Sequence, residues 1–221
     1  MGDFPRWSAM TGHPTCARCG RAVRAPGIWS NAWRCEVHGD VEPVAPLGLP
    51  THERVIRDLK HGTPRDVPFW LPWPLPPGWL ATGMTHAGDE RHGVRASLLA
   101  CTGPNPVGGP ADLVIIAEEM GVGLGARWAG LPGPDPGELL ATQTGPQAKI
   151  HAAGHPTALW CVPGAEDRAV YVGEALGCWI WMILWPASAG VLVADHITLV
   201  DLRDAPLDLD VPCGPLTSRI A

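Results

Sequence analysis

Three Cys and one His near the N-terminus have the spacing of ligands to a metal ion. The stretch CARCGRAVRAPGIWSNAWRCEVHG, residues 16–39, holds the pair Cys16 and Cys19 and, after a gap of fifteen residues, the pair Cys35 and His38. A zinc ion takes four N and S ligands in a tetrahedron, and a Cys-x-x-Cys turn offers two sulfurs to one ion. The four residues are therefore the predicted ligands of a structural Zn²⁺, because a closed set of four ligands leaves no position for water or substrate.

Two glycines support the same prediction. Gly20 follows Cys19 and Gly39 follows His38, and a residue that tolerates positive φ at these points lets each turn close around the ion. The residues between the two pairs are enough for two short strands, so we expect a zinc ribbon over residues 14–43. A redox Cys pair and unrelated buried thiols are the alternatives, but neither explains why His38 stands at the fourth position.

The composition describes a globular chain built from short elements. Of its 221 residues, 46% are hydrophobic and 17% are charged, which is typical of a folded protein. The 27 Gly and 25 Pro divide the chain into short elements with many turns, and the 11 Trp must provide most of the aromatic packing. We therefore expect more strand than helix.

The charge distribution does not favour nucleic acid as a partner. The formal net charge is -6, with five Arg against three acidic residues in residues 1–40 and eleven basic against nineteen acidic residues beyond them. A nucleic-acid-binding ribbon would use surface cations and aromatic rings, here Arg18, Arg21, Arg24, Arg34, Trp29 and Trp33. The alternative, which we favour, is that the two Trp pack the ribbon against its neighbour.

The N-terminus and the number of Cys predict the compartment. The segment MGDFPRWSAMTGHP lacks the basic patch and apolar run of a secretory signal, which favours the cytoplasm. Seven Cys in a reducing compartment are thiols or metal ligands, and an odd number argues against a complete set of disulfides.

Beyond the ribbon, the sequence predicts a linker and a larger domain. Residues 44–68 carry spaced prolines and the polar patch THERVIRDLKHGTPRD, in which residues 51–60 favour a short helix with Thr51 as its N-cap. Residues 69–215 form the second domain, which opens with the Trp/Pro-rich segment FWLPWPLPPGW at residues 69–79. Its four Pro exclude a helix.

The Trp/Pro-rich segment has two interpretations. Pro-rich segments bind aromatic-lined grooves of other proteins, because their extended shape is already formed. The second interpretation, which we favour, is that four aromatic residues anchor the segment against the core of its own domain: Phe69, Trp70, Trp73 and Trp79.

Short apolar runs alternate with turn signals from Trp79 onward, which is typical of a sheet-rich domain. In CWIWMILW, residues 178–185, both faces of a strand would be apolar, so this run is predicted to be a central strand covered on both sides. One face would carry Trp179, Trp181, Ile183 and Trp185, and the other Ile180, Met182 and Leu184. Covering helices are expected around residues 118–128 and 138–142, and the predicted class is α+β with a mainly antiparallel sheet and few short helices.

Residues 175–194, ALGCWIWMILWPASAGVLVA, are uncharged over the length of a membrane span. Pro186, Ser188 and Gly190 lie in the middle of this stretch, and no Lys or Arg follows it to set an orientation. We therefore favour a buried β-hairpin, with PASAG as the turn and Val191 beginning the second strand, over a membrane span.

The segment MGVGLGARWAG, residues 120–130, contains G-x-G-x-x-A at Gly121, Gly123 and Ala126. In a dinucleotide-binding fold such glycines bring backbone amides to a pyrophosphate. The preceding carboxylates of Glu118 and Glu119 oppose a phosphate there, so a Gly-rich turn is the favoured interpretation.

No local signature assigns a catalytic residue. The remaining His are scattered, and Asp195 and His196 with a thiol form only a conceivable nucleophilic set. Three of the other thiols lie in apolar strand candidates, where an inert buried Cys is the usual case: Cys101, Cys161 and Cys178. The fourth is Cys213.

Seven segments occur in order along the chain: CARCG, CEVHGDV, PFWLPWPLPPGW, EEMGVGLGARWAG, PDPG, VGEALGCWIWMILWP and TLVDLRD. This combination resembles an uncharacterised family of high-GC Gram-positive bacteria with an N-terminal zinc ribbon, and the resemblance covers nearly all of the chain after the first dozen residues. It implies a cytoplasmic protein in two parts and implies no activity.

The sequence favours a non-enzymatic, zinc-stabilised protein that binds another protein or a small apolar ligand, as a binding or adaptor module. The first alternative is a nucleic-acid-associated regulator that uses the Arg-bearing ribbon. The second alternative is an enzyme with its site in the larger domain, near His151, His155 and the Gly-rich turn.

Overall fold

The computed structural model describes most of the chain in six ranges: residues 12–28, 30–51, 67–141, 144–194, 197–204 and 210–220. The predicted linker helix at residues 51–60 therefore lies outside the described residues except for Thr51, and Trp29, Asp195 and His196 also lie outside them.

The apolar runs form short and medium-length strands, as their alternation predicts. In chain order the strands are β1 Thr15–Cys16, β2 Arg34–Cys35, β3 Gly39–Asp40, β4 Pro43–Val44, β5 Trp70–Pro72, β6 Leu80–Asp89, β7 Gly93–Pro104, β8 Pro110–Glu118, β9 Ala148–Ala152, β10 His155–Val162, β11 Ala169–Ala175, β12 Cys178–Trp185 and β13 Thr198–Asp201. The helices are α1 Leu124–Ala129, α2 Glu138–Ala141 and the 3-10 helix Ala187–Ala194. The expected mainly antiparallel sheet with few short helices is confirmed.

Within the described residues, one sheet joins eleven of these strands in the order β1-β4-β6-β7-β8-β12-β11-β10-β9-β13-β5. Two meanders, β6 to β8 and β9 to β12, place consecutive strands side by side, as tight turns favour. They meet where β12 pairs antiparallel with β8, from Trp179 opposite Glu118 to Trp185 opposite Asp112. The pairing of β13 with β9 is parallel.

Strand β12 is central and covered on both faces, as predicted. Met182 and its alternate neighbours belong to one hydrophobic cluster together with Trp79 and Leu113. Trp181 and its alternate neighbours belong to a second cluster, which includes Leu124 of α1. The two clusters lie on opposite faces of the sheet, because successive side chains of a strand point to opposite sides.

The predicted hairpin after β12 is wrong. Residues 187–194 form the 3-10 helix, and β12 pairs with β8 and β11 instead of a following strand. Gly190 explains the close fit of this helix to the sheet: an added Cβ would lie 2.8 Å from the Ala169 Cβ, and the Tyr171 hydroxyl donates to the Gly190 carbonyl at 3.2 Å. No helix in the described part of the chain has the length and apolar character to cross a membrane.

The Trp/Pro-rich segment anchors itself in its own core, as the favoured interpretation predicts. Phe69, Trp70 and Trp79 are buried, whereas Trp73 is half-buried. Strand β5 pairs with β13 at the edge of the sheet, and the Phe69 N–H donates to the carboxylate of buried Asp201 at 3.1 Å. The segment therefore packs over the cluster that contains Met182.

The contact between Gly125 and Trp181 gives the first prediction. A Cβ at Gly125 would lie 2.3 Å from the indole ring of buried Trp181, so Gly125→Ala must displace α1 or the ring. We expect it to lower the free energy of unfolding by about 1–3 kcal/mol, measured by denaturant titration. The control is Gly145→Ala, which meets nothing within 4 Å and should change stability by less than about 0.5 kcal/mol. Equal stability of the two variants would contradict the packing argument.

Candidate metal centre

The fold brings the four predicted ligands into one cluster. The ligand atoms of Cys16, Cys19, Cys35 and His38 all lie within 4.8 Å of one another. His38 Nδ1 is 3.6 Å from Cys16 Sγ and 3.8 Å from Cys35 Sγ, and Cys19 Sγ is 3.7 Å from Cys35 Sγ. The residues are thus close enough to bind a metal ion, and in the described residues they are the one such group of three or more His, Cys, Asp or Glu.

Two tight backbone turns place the ligands. In the first turn, the Gly20 N–H donates to the Cys16 carbonyl at 2.8 Å, and Gly20 has φ +72°. In the second, β2 and β3 pair Cys35 with Gly39, which has φ +68°. Both glycines take the left-handed conformation that the sequence predicts, since L side chains adopt it rarely.

Between the two turns, the backbone forms few β-bridges. The isolated bridges Arg24 to Arg34 and Gly27 to Ser30 connect this region, where the sequence predicts two short strands. Strand β1 pairs instead with β4, and β4 pairs with β6 through Val44 and Ala87. The first Cys turn is thereby attached to the edge of the large sheet.

The thiols of the cluster differ in acidity. Burial raises the pKa of the Cys16 thiol to about 11. The backbone N–H of Val37 stabilises the Cys35 thiolate and lowers its pKa to about 6, although burial opposes this change. Of the two thiols, Cys35 therefore loses its proton more readily than Cys16.

Two guanidinium groups hold the first Cys turn against α1 and the Gly-rich turn before it. Arg18 Nη2 donates to the Gly121 carbonyl at 2.7 Å, and Arg127 Nη1 donates to the Cys16 carbonyl at 3.4 Å. Ala17, between two ligand residues, is completely buried in the same hydrophobic cluster as Leu124. The Cys/His cluster thus lies against α1 and the sheet face that it covers.

A buried carboxylate fixes α1 under the Cys turn. Glu118, at the end of β8, accepts the N–H of Leu124 at 2.7 Å and of Gly125 at 3.2 Å, so it satisfies two free donors at the start of the helix. Gly121 and Gly123 have φ +87° and +88°. The segment therefore forms a Gly-rich turn, as favoured, and a carboxylate occupies the place where a dinucleotide fold would bind phosphate.

A polar cleft of about 370 Å³ separates the Cys/His region from the sheet. Arg95 lines this cleft and pairs with Glu42 at 2.9 Å and Glu119 at 2.7 Å. Asp40, in the same lining, pairs with Arg34 at 3.2 Å. Cations and acids alternate in the cleft, which is consistent with a salt-bridged contact between the two regions and not with a continuous basic surface.

The other sequence candidates do not converge. His151 and His155 face opposite sides of the β9–β10 hairpin, because His151 is opposite Pro156 and His155 is opposite Ala152. Cys101 is buried as predicted, whereas Cys161 is exposed and Cys178 is half-buried. The prediction that all three thiols are buried is therefore wrong for Cys161 and Cys178.

Sequence reasoning missed Glu118 and Arg127 as supports of the centre. The sequence indicates the charge of Glu118 but not its hydrogen bonds. Arg127 contacts Cys16 across 111 positions of the chain, which no local pattern indicates. One signal was present for Glu118: a carboxylate between an apolar strand and a Gly-rich helix start is placed to accept helical N–H groups.

The fold and the cluster define an antiparallel β-sheet protein with an N-terminal Cys/His site fit for a metal ion. The chain belongs to the family of unknown function DUF6758, whose model matches residues 10–220. No curated protein and no solved structure matches the chain. The expected resemblance to an uncharacterised family is confirmed by this match.

The burial of Glu118 predicts a pH dependence. Burial raises its pKa from 4.5 to about 7, against the two backbone N–H groups that lower it. Since the folded state holds this proton more tightly than the unfolded state, the free energy of unfolding falls as pH rises from about 4.5 to about 7. Between about pH 5.5 and 7.5, the free energy of unfolding of wild type should fall by about 2 kcal/mol more than that of Glu118→Gln. Denaturant titrations at the two pH values measure this difference.

The exposed Glu166→Gln, which lies outside the Cys/His region, is the control and should follow wild type. Neither substitution lies among residues 14–43, so proton binding at the Cys/His cluster contributes to all three profiles. If the free energies of unfolding of wild type and Glu118→Gln changed equally with pH, Glu118 would not be the source of the pH dependence.

Proposed function

We propose that the protein is a non-enzymatic binding or adaptor protein, that Cys16, Cys19, Cys35 and His38 bind a structural Zn²⁺, and that an apolar groove on the other face of the sheet binds a protein partner. We place the zinc ribbon at residues 14–43, the linker at 44–68 and the α+β domain at 69–215. The proposed compartment is the cytoplasm, because all seven Cys are unpaired with one another and a reducing compartment keeps them so.

Zinc fits the distances in the cluster. With Zn–S bonds of about 2.3 Å and Zn–N bonds of about 2.0 Å, a tetrahedron places two sulfurs about 3.8 Å apart and a sulfur and a nitrogen about 3.5 Å apart. The corresponding distances are 3.7 Å between Cys19 and Cys35 and 3.6 Å between Cys16 and His38. A four-ligand site of this kind stabilises the fold around it and leaves no open position for catalysis.

The observation that carries the binding function is the groove. It has a volume of about 270 Å³, and Thr198 is the one polar side chain among the described residues that line it. Its apolar lining is Pro72, Trp73, Pro74, Leu75, Pro76, Pro77, Trp79, Leu113, Leu192 and Ile197. We define this set with Thr198 as the Trp/Pro groove.

The groove is rigid and partly open. Its four prolines fix their own backbone, and the Trp73 N–H donates to the Thr198 carbonyl at 2.8 Å, so little ordering is needed when a partner binds. Trp73 is half-buried, and Trp side chains at such positions contribute strongly to protein interfaces. The volume suits one or two apolar side chains of a partner, and the described residues of the lining supply no titratable group for catalysis.

A nucleic-acid-associated regulator is the alternative for the Cys/His region. Arg21 and Arg24 are exposed and would serve it, but Arg34 pairs with Asp40 and Arg18 donates to the Gly121 carbonyl. These internal contacts reduce the free positive charge, so this alternative has less support. The further alternative of an enzyme site near His151 and His155 has less support still, because the two side chains point apart.

Photo-crosslinking tests the groove. A benzophenone amino acid at Leu75, in the groove, and one at exposed Leu176, in the β11–β12 turn, are used to capture partners in the native host. The partner captured from Leu75 alone is then purified and its affinity measured. Trp73→Ala should weaken binding by about 2 kcal/mol, roughly 30-fold, while Leu176→Ala should leave it unchanged.

Equal affinity of Trp73→Ala and wild type for the partner would contradict binding in the Trp/Pro groove. Saturation of the groove by an uncharged metabolite, with no protein bound, would replace the protein partner by a small apolar ligand. Turnover of metabolites in an unbiased activity screen would contradict a non-enzymatic role.

A further inference from the structure

One guanidinium beside the metal centre, that of Arg127, has no carboxylate partner among the described residues. Arg127 lies in the last turn of α1, and its side chain reaches across to the first Cys turn. A Cβ built on Gly20 would lie 2.6 Å from Arg127 Nη2 and 2.8 Å from its Cζ, so the guanidinium packs directly on the backbone of that turn. Arg127 Nη1 also donates to the Cys16 carbonyl at 3.4 Å, so the contact includes a hydrogen bond to a predicted ligand residue.

The charge of a loaded metal centre would supply the missing partner. Three thiolates, a neutral His and a divalent ion sum to one negative charge. A partly buried guanidinium is costly unless an anion or acceptors lie beside it.

Contacts outside the first Cys turn help to hold Arg127 in place. Its own N–H donates to the Gly123 carbonyl at 3.2 Å, Glu118 caps the start of α1, and Gly125 packs closely against the Trp181 ring. The guanidinium is therefore presented to the Cys turn by the sheet domain, as a preorganised support.

We propose that Arg127 is a positioning residue of the metal centre: it compensates the charge of the metal-bound thiolates of Cys16 and Cys19, and the bound metal in turn holds the first Cys turn on α1. This inference rests on the zinc site proposed above. Since coupling between two equilibria is reciprocal, loss of the Arg127 charge weakens metal binding, and loss of the metal weakens the contact with α1.

Chelator competition on the full-length protein tests the coupling. A chromophoric chelator competes for Zn²⁺ with wild type, Arg127→Met, Arg127→Lys and Arg168→Met. Arg168 is the matched control, because it donates to the Trp128 carbonyl at 2.6 Å and lies 4.8 Å over the Trp185 ring, away from the ligands. We expect Arg127→Met to bind Zn²⁺ roughly 10–100-fold more weakly, and Arg127→Lys and Arg168→Met to stay within about threefold of wild type.

Hydrogen exchange gives a second readout that a general loss of stability would not produce. In wild type, removal of Zn²⁺ should speed amide exchange in residues 16–21 and in α1. In Arg127→Met, exchange in α1 should no longer respond to Zn²⁺, because the charge contact that couples them is gone.

Three results would overturn the inference: an affinity of Arg127→Met within threefold of wild type, an equal loss in Arg168→Met, or a loss in Arg127→Lys as large as in Arg127→Met. Failure of wild type itself to bind Zn²⁺ would be a different outcome, because it would remove the zinc site and this inference with it.

Discussion

Strand β12 has large apolar side chains on both faces, and both faces must therefore be covered by other parts of the chain. On the face of Trp181, the cover is α1 and the Cys/His region, with Ala17 and Leu124 in one cluster. On the face of Met182, the cover is the 3-10 helix and the Trp/Pro-rich segment. The metal centre and the Trp/Pro groove are both consequences of how the two faces are closed.

The segments that pack on the two faces of β12 are stabilised by different interactions. Helix α1 is six residues long, too short to be stable alone, and it depends on Glu118, on the Trp181 ring and on the first Cys turn. The Trp/Pro-rich segment is held by its pairing with β13, by prolines that fix its backbone and by three buried aromatic side chains. A metal ion is thus useful on the first face, where few apolar residues hold the small Cys/His region in shape.

The separation of the two sites has a functional consequence. The groove is on the face opposite the metal centre, so substitutions at the ligands reach it only through the sheet between them. An adaptor of this design would present its Trp/Pro groove to a partner while the metal centre maintains the other face.

Local patterns predicted much of this structure. Alternation predicted the two faces of β12, and the spacing of Cys16, Cys19, Cys35 and His38 predicted a cluster that the fold forms. Features that depend on distant contacts were missed. Residues 187–194 form a 3-10 helix where the sequence predicts a turn followed by a strand from Val191. In this helix Gly190 packs on Ala169 and Tyr171, which are distant in the sequence.

The same limit applies to the supports of the site and to the sheet edges. Nothing near Arg127 in the sequence indicates that it meets Gly20, and nothing in the run TALWCV shows that Cys161 points to solvent. The order β9-β13-β5 at one edge likewise joins segments far apart in the chain, for which no local signal exists.

The metal content of the purified protein shows directly whether the Cys/His cluster binds zinc. Elemental analysis is made on wild type, on the double variant Cys35→Ser with His38→Ala, and on Cys161→Ser, whose exposed thiol lies outside the cluster. About one zinc per chain is expected in wild type and in Cys161→Ser, and none in the double variant. Wild type without zinc, or a double variant that retains it, would contradict a closed zinc site formed by these four residues.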